Sequence, residues 1–136
     1  MGMKLTKDSI DLGIVVTDPE ASLAFYRDTL GMEMIGEGPM PFGGTMYRLM
    51  CGTSMIKLVH LVKEPPAKAP PGGIVGGLGY RYWTISVSNI DEITDAVGAA
   101  GYKVAVPVRE IREGVRISMV EDPDGNWVEL LHIEGG

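Results

Sequence analysis

Residues 11–18 read Asp-Leu-Gly-Ile-Val-Val-Thr-Asp, and residues 82–89 repeat the pattern as Tyr-Trp-Thr-Ile-Ser-Val-Ser-Asn, 71 positions later. A second pair of segments, Met-Ile-Lys-Leu-Val-His at 55–60 and Trp-Val-Glu-Leu-Leu-His at 127–132, matches at an offset of 72. A drift of one residue over half of the chain indicates an internal duplication, and the period is too long for a solenoid. The sequence therefore predicts two half-domain modules with the same order of elements.

Each copy starts with an alternating, β-branched strand that runs into a helix start. In the first copy the strand covers Ile10–Val16, and Thr17–Glu20 provides a capping side chain, a proline in the first turn and an early acid. In the second copy the strand Tyr82–Val87 precedes a helix start at Ser88–Asp91. Three further strands are expected in each copy: Met32–Glu37, Thr45–Met50, Ser54–Leu61, Tyr102–Val106, Val115–Val120 and Trp127–Ile133.

A segment rich in proline and glycine joins the two copies. Residues 63–79 contain four prolines and five glycines, which is typical of an irregular connector. We expect module one at about residues 8–62, the connector at about 63–79 and module two at about 80–134, all within a single domain of the α+β class.

Composition and charge exclude several classes of protein. The 136 residues include 12 Lys and Arg against 18 Asp and Glu, a net charge of −6, whereas nucleic acids and anionic membranes attract basic surfaces. A single cysteine, Cys51, excludes an intrachain disulfide and a cysteine-based zinc cluster. No apolar run reaches the roughly 20 residues of a membrane span. We expect a cytoplasmic protein with neither a nucleic-acid nor a membrane partner.

Two longer motifs lie within this pattern. Residues 11–31 lead from the first strand through the helix to Phe-Tyr-Arg-Asp-Thr-Leu-Gly, and residues 121–130 read Glu-Asp-Pro-Asp-Gly-Asn-Trp-Val-Glu-Leu. Through its FYxxxLG and DPDGNxxEL motifs the chain resembles the vicinal oxygen chelate superfamily, which includes glyoxalase I, bleomycin-resistance proteins and extradiol dioxygenases. The resemblance implies two tandem βαβββ modules that form a curved mixed sheet around a cavity, and a homodimer.

The resemblance also points to four positions in the strands. Metal-dependent members of the family take one ligand from the first and one from the last strand of each module, and here those positions carry Asp11, Lys57, Tyr82 and Glu129. Only Glu129 keeps the family pattern. A protonated amine offers donors only and repels a dication, whereas it would neutralise two buried carboxylates. We therefore expect Lys57 to stand where the metal would, with no resident metal or other cofactor; a bound divalent metal is the alternative.

Strand alternation supports a common direction for these four side chains. The residues that alternate with them in each strand are apolar, which predicts that the apolar face packs under the helix and the four side chains point to the other side. The sequence therefore predicts that all four line one cavity.

Two further residues complete the predicted ligand-binding set. Arg109 can hold an anionic group by bidentate contacts, although an ordinary charged rim beside Glu110 and Glu113 is an open alternative. Trp127 shares the strand parity of Glu129 and offers a stacking surface.

Histidines and methionines need separate treatment. His60 and His132 match in the repeat, but their parity places them opposite the cavity, so capped or solvent-facing roles are expected. Five of the nine methionines fall in or beside predicted strands, where they either line a pocket for a flat apolar ligand or fill the core: Met34, Met46, Met50, Met55 and Met119.

Three classes of function stay open. The first is a metal-free protein that binds a small organic molecule, as in the bleomycin-resistance group, and the acidic net charge suits a cationic or neutral ligand. The second is a lyase, isomerase or transferase of the glyoxalase type with Glu129 as general base, in which a divalent metal or the Lys57 ammonium stabilises an enolate. The third is a structural subunit without a pocket. We favour a metal-independent protein that binds or transforms a small organic ligand; the alternative is a divalent-metal-dependent isomerase or lyase of the glyoxalase I or epimerase type.

Overall fold

The computed structural model describes residues 2–135 and contains two four-stranded mixed sheets, each with one main helix. Contacts divide the chain into two compact units between Pro65 and Pro66. The first unit, module one, contains β1 (Asp11–Val15), α1 (Pro19–Leu23), a π-helical segment (Ala24–Thr29), β2 (Glu33–Pro39), β3 (Gly44–Cys51) and β4 (Ser54–Leu61). The second unit, module two, contains a 3₁₀ turn (Gly73–Val75), β5 (Tyr82–Ser86), α2 (Ile90–Ala99), β6 (Val104–Arg112), β7 (Val115–Glu121) and β8 (Trp127–Ile133).

Both sheets have the same topology. The strand order is β1-β4-β3-β2 in module one and β5-β8-β7-β6 in module two. The first and last strands of each module, β1 with β4 and β5 with β8, run parallel, and the other neighbours are antiparallel. The predicted βαβββ order of elements in each module is therefore confirmed.

The helix start of module one follows the predicted capping logic. The carboxylate of Asp18 accepts hydrogen bonds from the backbone N–H groups of Glu20 and Ala21, at 3.0 and 3.3 Å. Pro19 occupies the first turn, where its missing N–H leaves no hydrogen bond unmade. The helix ends before Gly31, whose φ of +85° suits a residue without Cβ.

The second half of this helix widens into a π-helical segment that the sequence did not indicate. The N–H of Leu30 donates to the carbonyl of Phe25, five residues earlier, at 2.9 Å. Phe25 and Tyr26 are both fully buried, and their rings meet edge to face with centroids 4.8 Å apart. The wider turn accompanies burial of two successive aromatic side chains in the core of module one.

Strand β6 differs most from the sequence prediction, which ended it at Val106. The strand continues to Arg112, with register shifts around Pro107. Because β6 is the edge strand of its sheet, a proline without an N–H and the accompanying bulge do not break a second ladder. Arg109 consequently lies within a strand.

The DPDG motif forms the predicted tight turn between β7 and β8. Asp122 is buried, and its carboxylate accepts hydrogen bonds from the backbone N–H groups of Asp124 and Asn126 at 2.9 and 2.8 Å. Gly125 has a φ of +86°, as the turn requires. This turn sets the register in which β8 begins.

Each sheet packs one face against its helix, and we name the opposite face the open face of that module. In β1 the odd residues from Asp11 to Val15 are exposed, whereas Leu12 and Ile14 are half-buried. In β4 the residues on the helix side, Ile56 and Leu58, are at most 1% exposed. The strand parity predicted from the sequence is therefore confirmed. No helix between residues 2 and 135 is long and apolar enough to cross a membrane.

Candidate functional site

A row of four residues crosses the middle of the open face of module one. Lys57 in β4 lies opposite Gly13 in β1 and opposite Arg48 in β3, and Arg48 in turn lies opposite Gly36 in β2. Paired residues of neighbouring strands project to the same side of a sheet. We name these residues the cationic row: Gly13, Lys57, Arg48 and Gly36.

Asp11 lies one register position from this row and pairs with two lysines. Lys7 Nζ is 2.6 Å from Asp11 Oδ1, and Lys57 Nζ is 3.7 Å from Asp11 Oδ2. The Lys7 hydrogen bond, assisted by the charges of both lysines, lowers the pKa of the Asp11 carboxyl, with partial burial opposing the shift. Asp11 is thus held as an anion by two ammonium groups.

This pairing decides how well module one fits a divalent metal. Of the two family ligand positions in module one, Lys57 provides hydrogen-bond donors only, and Asp11 already has cations at both oxygens. A metal would need the carboxylate to lose the Lys7 and Lys57 contacts and would face an ammonium at its second ligand position. Among residues 2–135 no group of three or more His, Cys, Asp and Glu side chains has the geometry of a metal site. The donor set of module one does not fit a divalent cation.

Module two carries a different middle row on its open face. Glu129 in β8 lies opposite Thr84 in β5 and opposite Met119 in β7. The hydroxyl of Thr84 donates to Glu129 Oε1 at 2.7 Å. Within the described residues, Oε2 of Glu129 makes no hydrogen bond, so the half-buried carboxylate keeps one oxygen for another partner.

Tyr82 and Trp127 lie opposite each other on the same open face, one register position from Glu129. Tyr82 is 47% exposed and accessible to a ligand. The indole N–H of Trp127 donates to Glu121 at 3.1 Å, and the six-membered ring lies against the backbone of Gly73 in the connector. One surface of the Trp127 ring is therefore already covered within module two.

Two arginines of module two, Arg109 and Arg116, lie in different environments. Arg109 in β6 is exposed and lies opposite Ile117, on the open-face side of the sheet. Arg116 is on the helix side, where its guanidinium pairs with Asp91 at 2.8 Å. Arg109 therefore keeps its predicted availability to a ligand, whereas Arg116 fastens β7 to the start of α2.

The histidines lie on the helix side, as the parity predicted. His132 lies opposite Arg116, and its Nδ1 is 3.0 Å from the carbonyl oxygen of Val87, which caps the ring. Two open hollows flank His132, one beside Glu110 and Arg116 and the other beside Val87, and neither contains a predicted site residue.

The methionines divide between the two faces of the sheets. Met46, Met50 and Met55 lie on the open face of module one in register with its other residues, and Met119 lies beside Glu129 in module two. Met34 is opposite the buried Leu49 and belongs to the helix side. Met119 is only 4% exposed and belongs to the core, whereas a pocket-lining role for Met46, Met50 and Met55 stays a prediction.

Asp11 with Lys57, and Tyr82 with Glu129, are thus brought together within their own modules. The expectation that Asp11, Lys57, Tyr82 and Glu129 all line one cavity stays a prediction. Sequence reasoning missed Arg48, although the sequence contains a signal for it. When the β3–β4 hairpin turns at Gly52, Arg48 pairs with Lys57 and projects to the same face of the sheet. Cys51 ends β3, and burial raises the pKa of its thiol, which disfavours a thiolate nucleophile.

Comparison with known proteins gives consistent results. Residues 9–130 match the family model described as Glyoxalase/Bleomycin resistance protein/Dioxygenase superfamily. A Mycobacterium tuberculosis protein named "Putative glyoxylase CFP32" is 31% identical over 114 residues, or 84% of this chain, and the chain spans only 41% of that protein's length. A Synechocystis protein named "Probable lactoylglutathione lyase" is 29% identical over 126 residues, which cover 87% of this chain and 89% of the relative.

Solved structures show the same fold. A glyoxalase family protein from Bacillus cereus superposes with a TM-score of 0.82 at 19% identity, covering 98% of this chain and 97% of that one. A glyoxalase family protein from Bacillus anthracis is 26% identical, with a TM-score of 0.64, covering 98% of this chain and 100% of that one. The predicted α+β fold with its βαβββ modules is confirmed. With the motifs, the topology and the family model in agreement, this chain belongs to the Glyoxalase/Bleomycin resistance protein/Dioxygenase superfamily.

Proposed function

We propose that this protein binds a small organic molecule on the open faces of its modules without a metal ion. The observation that carries the proposal is the double ion pair of Asp11, with Lys7 at 2.6 Å and Lys57 at 3.7 Å. In the family that the chain belongs to, the Asp11 and Lys57 positions hold metal ligands in metal-dependent members. Here, ammonium groups supply the positive charge that a metal would supply there.

The remaining predicted residues supply contacts of different chemistry. Glu129 and Tyr82 present a carboxylate oxygen and a phenol on the open face of module two, and Arg109 presents a guanidinium. Trp127 offers the part of its ring that Gly73 does not cover. A pocket that combines apolar area with a few placed polar groups is typical of small-molecule sites. A homodimer and a cytoplasmic location stay predictions.

Metal analysis tests the proposal directly. The purified protein is analysed by mass spectrometry as isolated and again after loading with Zn²⁺, Ni²⁺ and Mn²⁺ followed by desalting. We expect far less than one equivalent in every sample, and one retained equivalent would overturn metal independence. Thermal-shift measurements in EDTA with a panel of small organic compounds then test binding, because a ligand of the native state raises the melting temperature in a saturable way.

A second candidate function is a lyase or isomerase of the glyoxalase type. It is favoured by Glu129, which is fixed by Thr84 through one oxygen and keeps the other available to take a proton from a substrate carbon next to a carbonyl. The Synechocystis relative carries a lactoylglutathione lyase name. The expectation that the Lys57 ammonium stabilises the resulting enolate stays a prediction.

The two candidates differ in their response to Glu129→Gln. In a binding protein this substitution weakens ligand binding modestly, because Thr84 still donates to the amide oxygen. In an enzyme with Glu129 as base, turnover falls by about 100-fold or more while the fold is kept. The assay uses the hemithioacetal of methylglyoxal and glutathione, with and without added divalent metal; turnover in EDTA that Glu129→Gln abolishes would favour the enzyme.

A further inference from the structure

The guanidinium of Arg48 lies over two glycines of β2, Gly36 and Gly38. A Cβ atom at Gly36 would lie 2.8 Å from Arg48 Nη2, and a Cβ at Gly38 would lie 3.6 Å from Nη1. The guanidinium therefore lies across the backbone of β2, in space that any side chain at position 36 would fill. The lack of side chains at these two positions leaves the space in which the guanidinium lies.

The charges around Arg48 are not balanced within module one. Arg48 is the cross-strand partner of Lys57, and like charges directly opposite each other are destabilising. Lys57 has Asp11 nearby, but Asp11 is also bound by Lys7. Among residues 2–135, no carboxylate lies within 4.0 Å of Arg48.

Glu33 is the further carboxylate on this face, and it lies one register position away, opposite Met50. It is exposed at the edge strand and makes no ion pair with Arg48. Lys57 therefore has one nearby carboxylate, Asp11, which Lys7 also binds, and Arg48 has none within 4.0 Å among the described residues. An added anion between Arg48 and Lys57 would relieve the repulsion between them.

The surroundings of the cationic row leave room for such an anion. At Gly13, the row position beside Lys57, a Cβ would meet nothing within 4 Å, so the space above it is open. Methionines and a valine flank the row on both sides: Met50 and Met55 on one side, and Met46 and Val59 on the other. Arg48 and Lys57 thus have apolar side chains on both sides, with Asp11 and Glu33 at the two outer positions of the register row that contains Met55 and Met50.

We propose that Arg48 and Lys57 bind the anionic oxygen group, a carboxylate or a phosphate, of a small organic ligand whose apolar body lies on the methionines. Arg48 matches two oxygens of such a group with parallel N–H donors, and Lys57 adds a second charge-assisted contact. This inference rests on the proposed function and narrows its substrate class. It also departs from the expectation from net charge, which favoured a cationic or neutral ligand.

An NMR titration tests the assignment on the intact chain. The probes are benzoate, phenyl phosphate and neutral benzamide, which share one ring and differ in the group attached to it. We expect the two anions to shift the amide signals of residues 13, 36, 48 and 57 in a saturable and salt-sensitive way, and benzamide to bind at least about tenfold more weakly. The relative affinities of benzoate and phenyl phosphate decide between a carboxylate and a phosphate.

Three variants separate position from charge. Arg48→Met introduces the residue that module two carries at the equivalent row position, and we expect about tenfold weaker binding of the anions. Gly36→Ala keeps every charge but displaces the guanidinium, so it should also weaken binding. Lys103→Gln removes one exposed charge from module two and should leave binding unchanged. Well-dispersed spectra establish that each variant is folded.

The outcomes distinguish this inference from the proposed function. Equal binding of benzamide and benzoate on the open face, or unchanged benzoate binding by Arg48→Met, overturns the anion assignment and leaves metal-free ligand binding intact. Absence of shifts at the cationic row with all three probes also overturns it. Stoichiometric metal retention overturns the proposed function, whatever the titration shows.

Discussion

Lys57 and Glu129 occupy the same register position in the two modules but carry opposite charge. Lys57 lies opposite Gly13 in the parallel first strand of module one, and Glu129 lies opposite Thr84 in the parallel first strand of module two. In module two the threonine hydroxyl binds the charged side chain, whereas in module one the glycine leaves space beside it. The two modules thus keep a charged residue at the same position of the fold, but the sign of its charge differs.

Replacing Lys57 by glutamate should create affinity for metal in module one. Lys57→Glu removes a cation from Asp11 and adds a second carboxylate, which divalent cations prefer. We expect Mn²⁺ or Zn²⁺ to raise the melting temperature of this variant only, with stabilisation of about 2.7 kcal/mol when the metal is at 100 times its dissociation constant. Lys57→Gln is the matched control, since it removes the charge without adding a ligand; an equal metal response of the control would contradict the prediction.

The Lys7–Asp11 ion pair should make stability depend on acid pH. Because the pKa of Asp11 is lowered from 3.8 in the folded state, its stabilising contribution is present above pH 3.8 and is lost as pH falls through the lowered value. Lys7→Gln should raise the pKa of Asp11 toward 3.8, as measured by carboxyl ¹³C NMR. The difference in unfolding free energy between the two proteins should disappear below the folded-state pKa. A difference that persists below the folded-state pKa measured for Asp11 would show that Lys7 acts through something other than this pair.

Gly73 should not tolerate alanine. Its φ is +58°, and a Cβ would overlap the ring of Trp127. We expect Gly73→Ala to destabilise the protein by about 1–2 kcal/mol for the left-handed backbone and a further 1–3 kcal/mol for the overlap, and to alter Trp127 fluorescence. Gly79→Ala is the control, because Gly79 has a φ of +95° and nothing within 4 Å of its Cβ position. Urea unfolding measures both variants, and equal losses would show that the ring contact contributes nothing.

A buried hydroxyl pair links α2 to β7. Thr94 and Ser118 are 5% and 0% exposed, and their oxygens lie 2.8 Å apart. Ser118→Ala should cost about 1–3 kcal/mol because Thr94 is left with an unsatisfied buried hydroxyl. Adding Thr94→Val should recover part of that loss, so the double-mutant cycle by urea unfolding should be non-additive. Strict additivity would indicate that the two hydroxyls do not interact.

The sequence was sufficient for the order of elements along the chain and for the sheet face on which Asp11, Lys57, Tyr82 and Glu129 lie. Alternation placed Asp11, Lys57, Tyr82 and Glu129 opposite the helices because a half-buried strand repeats every two residues. The strong turn chemistry of the Asp122 motif fixed where β8 begins. These features depend on residues that are close together in the sequence, so local sequence patterns predict them.

Features that depend on tertiary packing were not predictable in the same way. Pro107 indicated the end of a strand, but an edge strand accommodates it in a bulge and continues. The π-helical widening at Phe25 and Tyr26 results from the fit of two rings in the core. Arg48 becomes a candidate ligand-binding residue only because the strand register places it beside Lys57 and over Gly36. Neither residue is its neighbour in sequence.

Arg81 attaches part of the connector to module two, and this attachment restricts which part of the connector can vary in length. Its guanidinium donates to the carbonyl oxygens of Pro70 and Gly73 at 2.7 and 2.6 Å, so the stretch from Pro70 onward is built into module two. Only residues 62–69, all of them exposed, are left as a tether between the sheets. Insertions or a protease site placed in that stretch leave the Arg81 contacts intact, whereas the same change a few residues later disrupts the packing against Trp127. Changes in the spacing between the two duplicated halves are therefore confined to about half of the segment that composition alone marks as a linker.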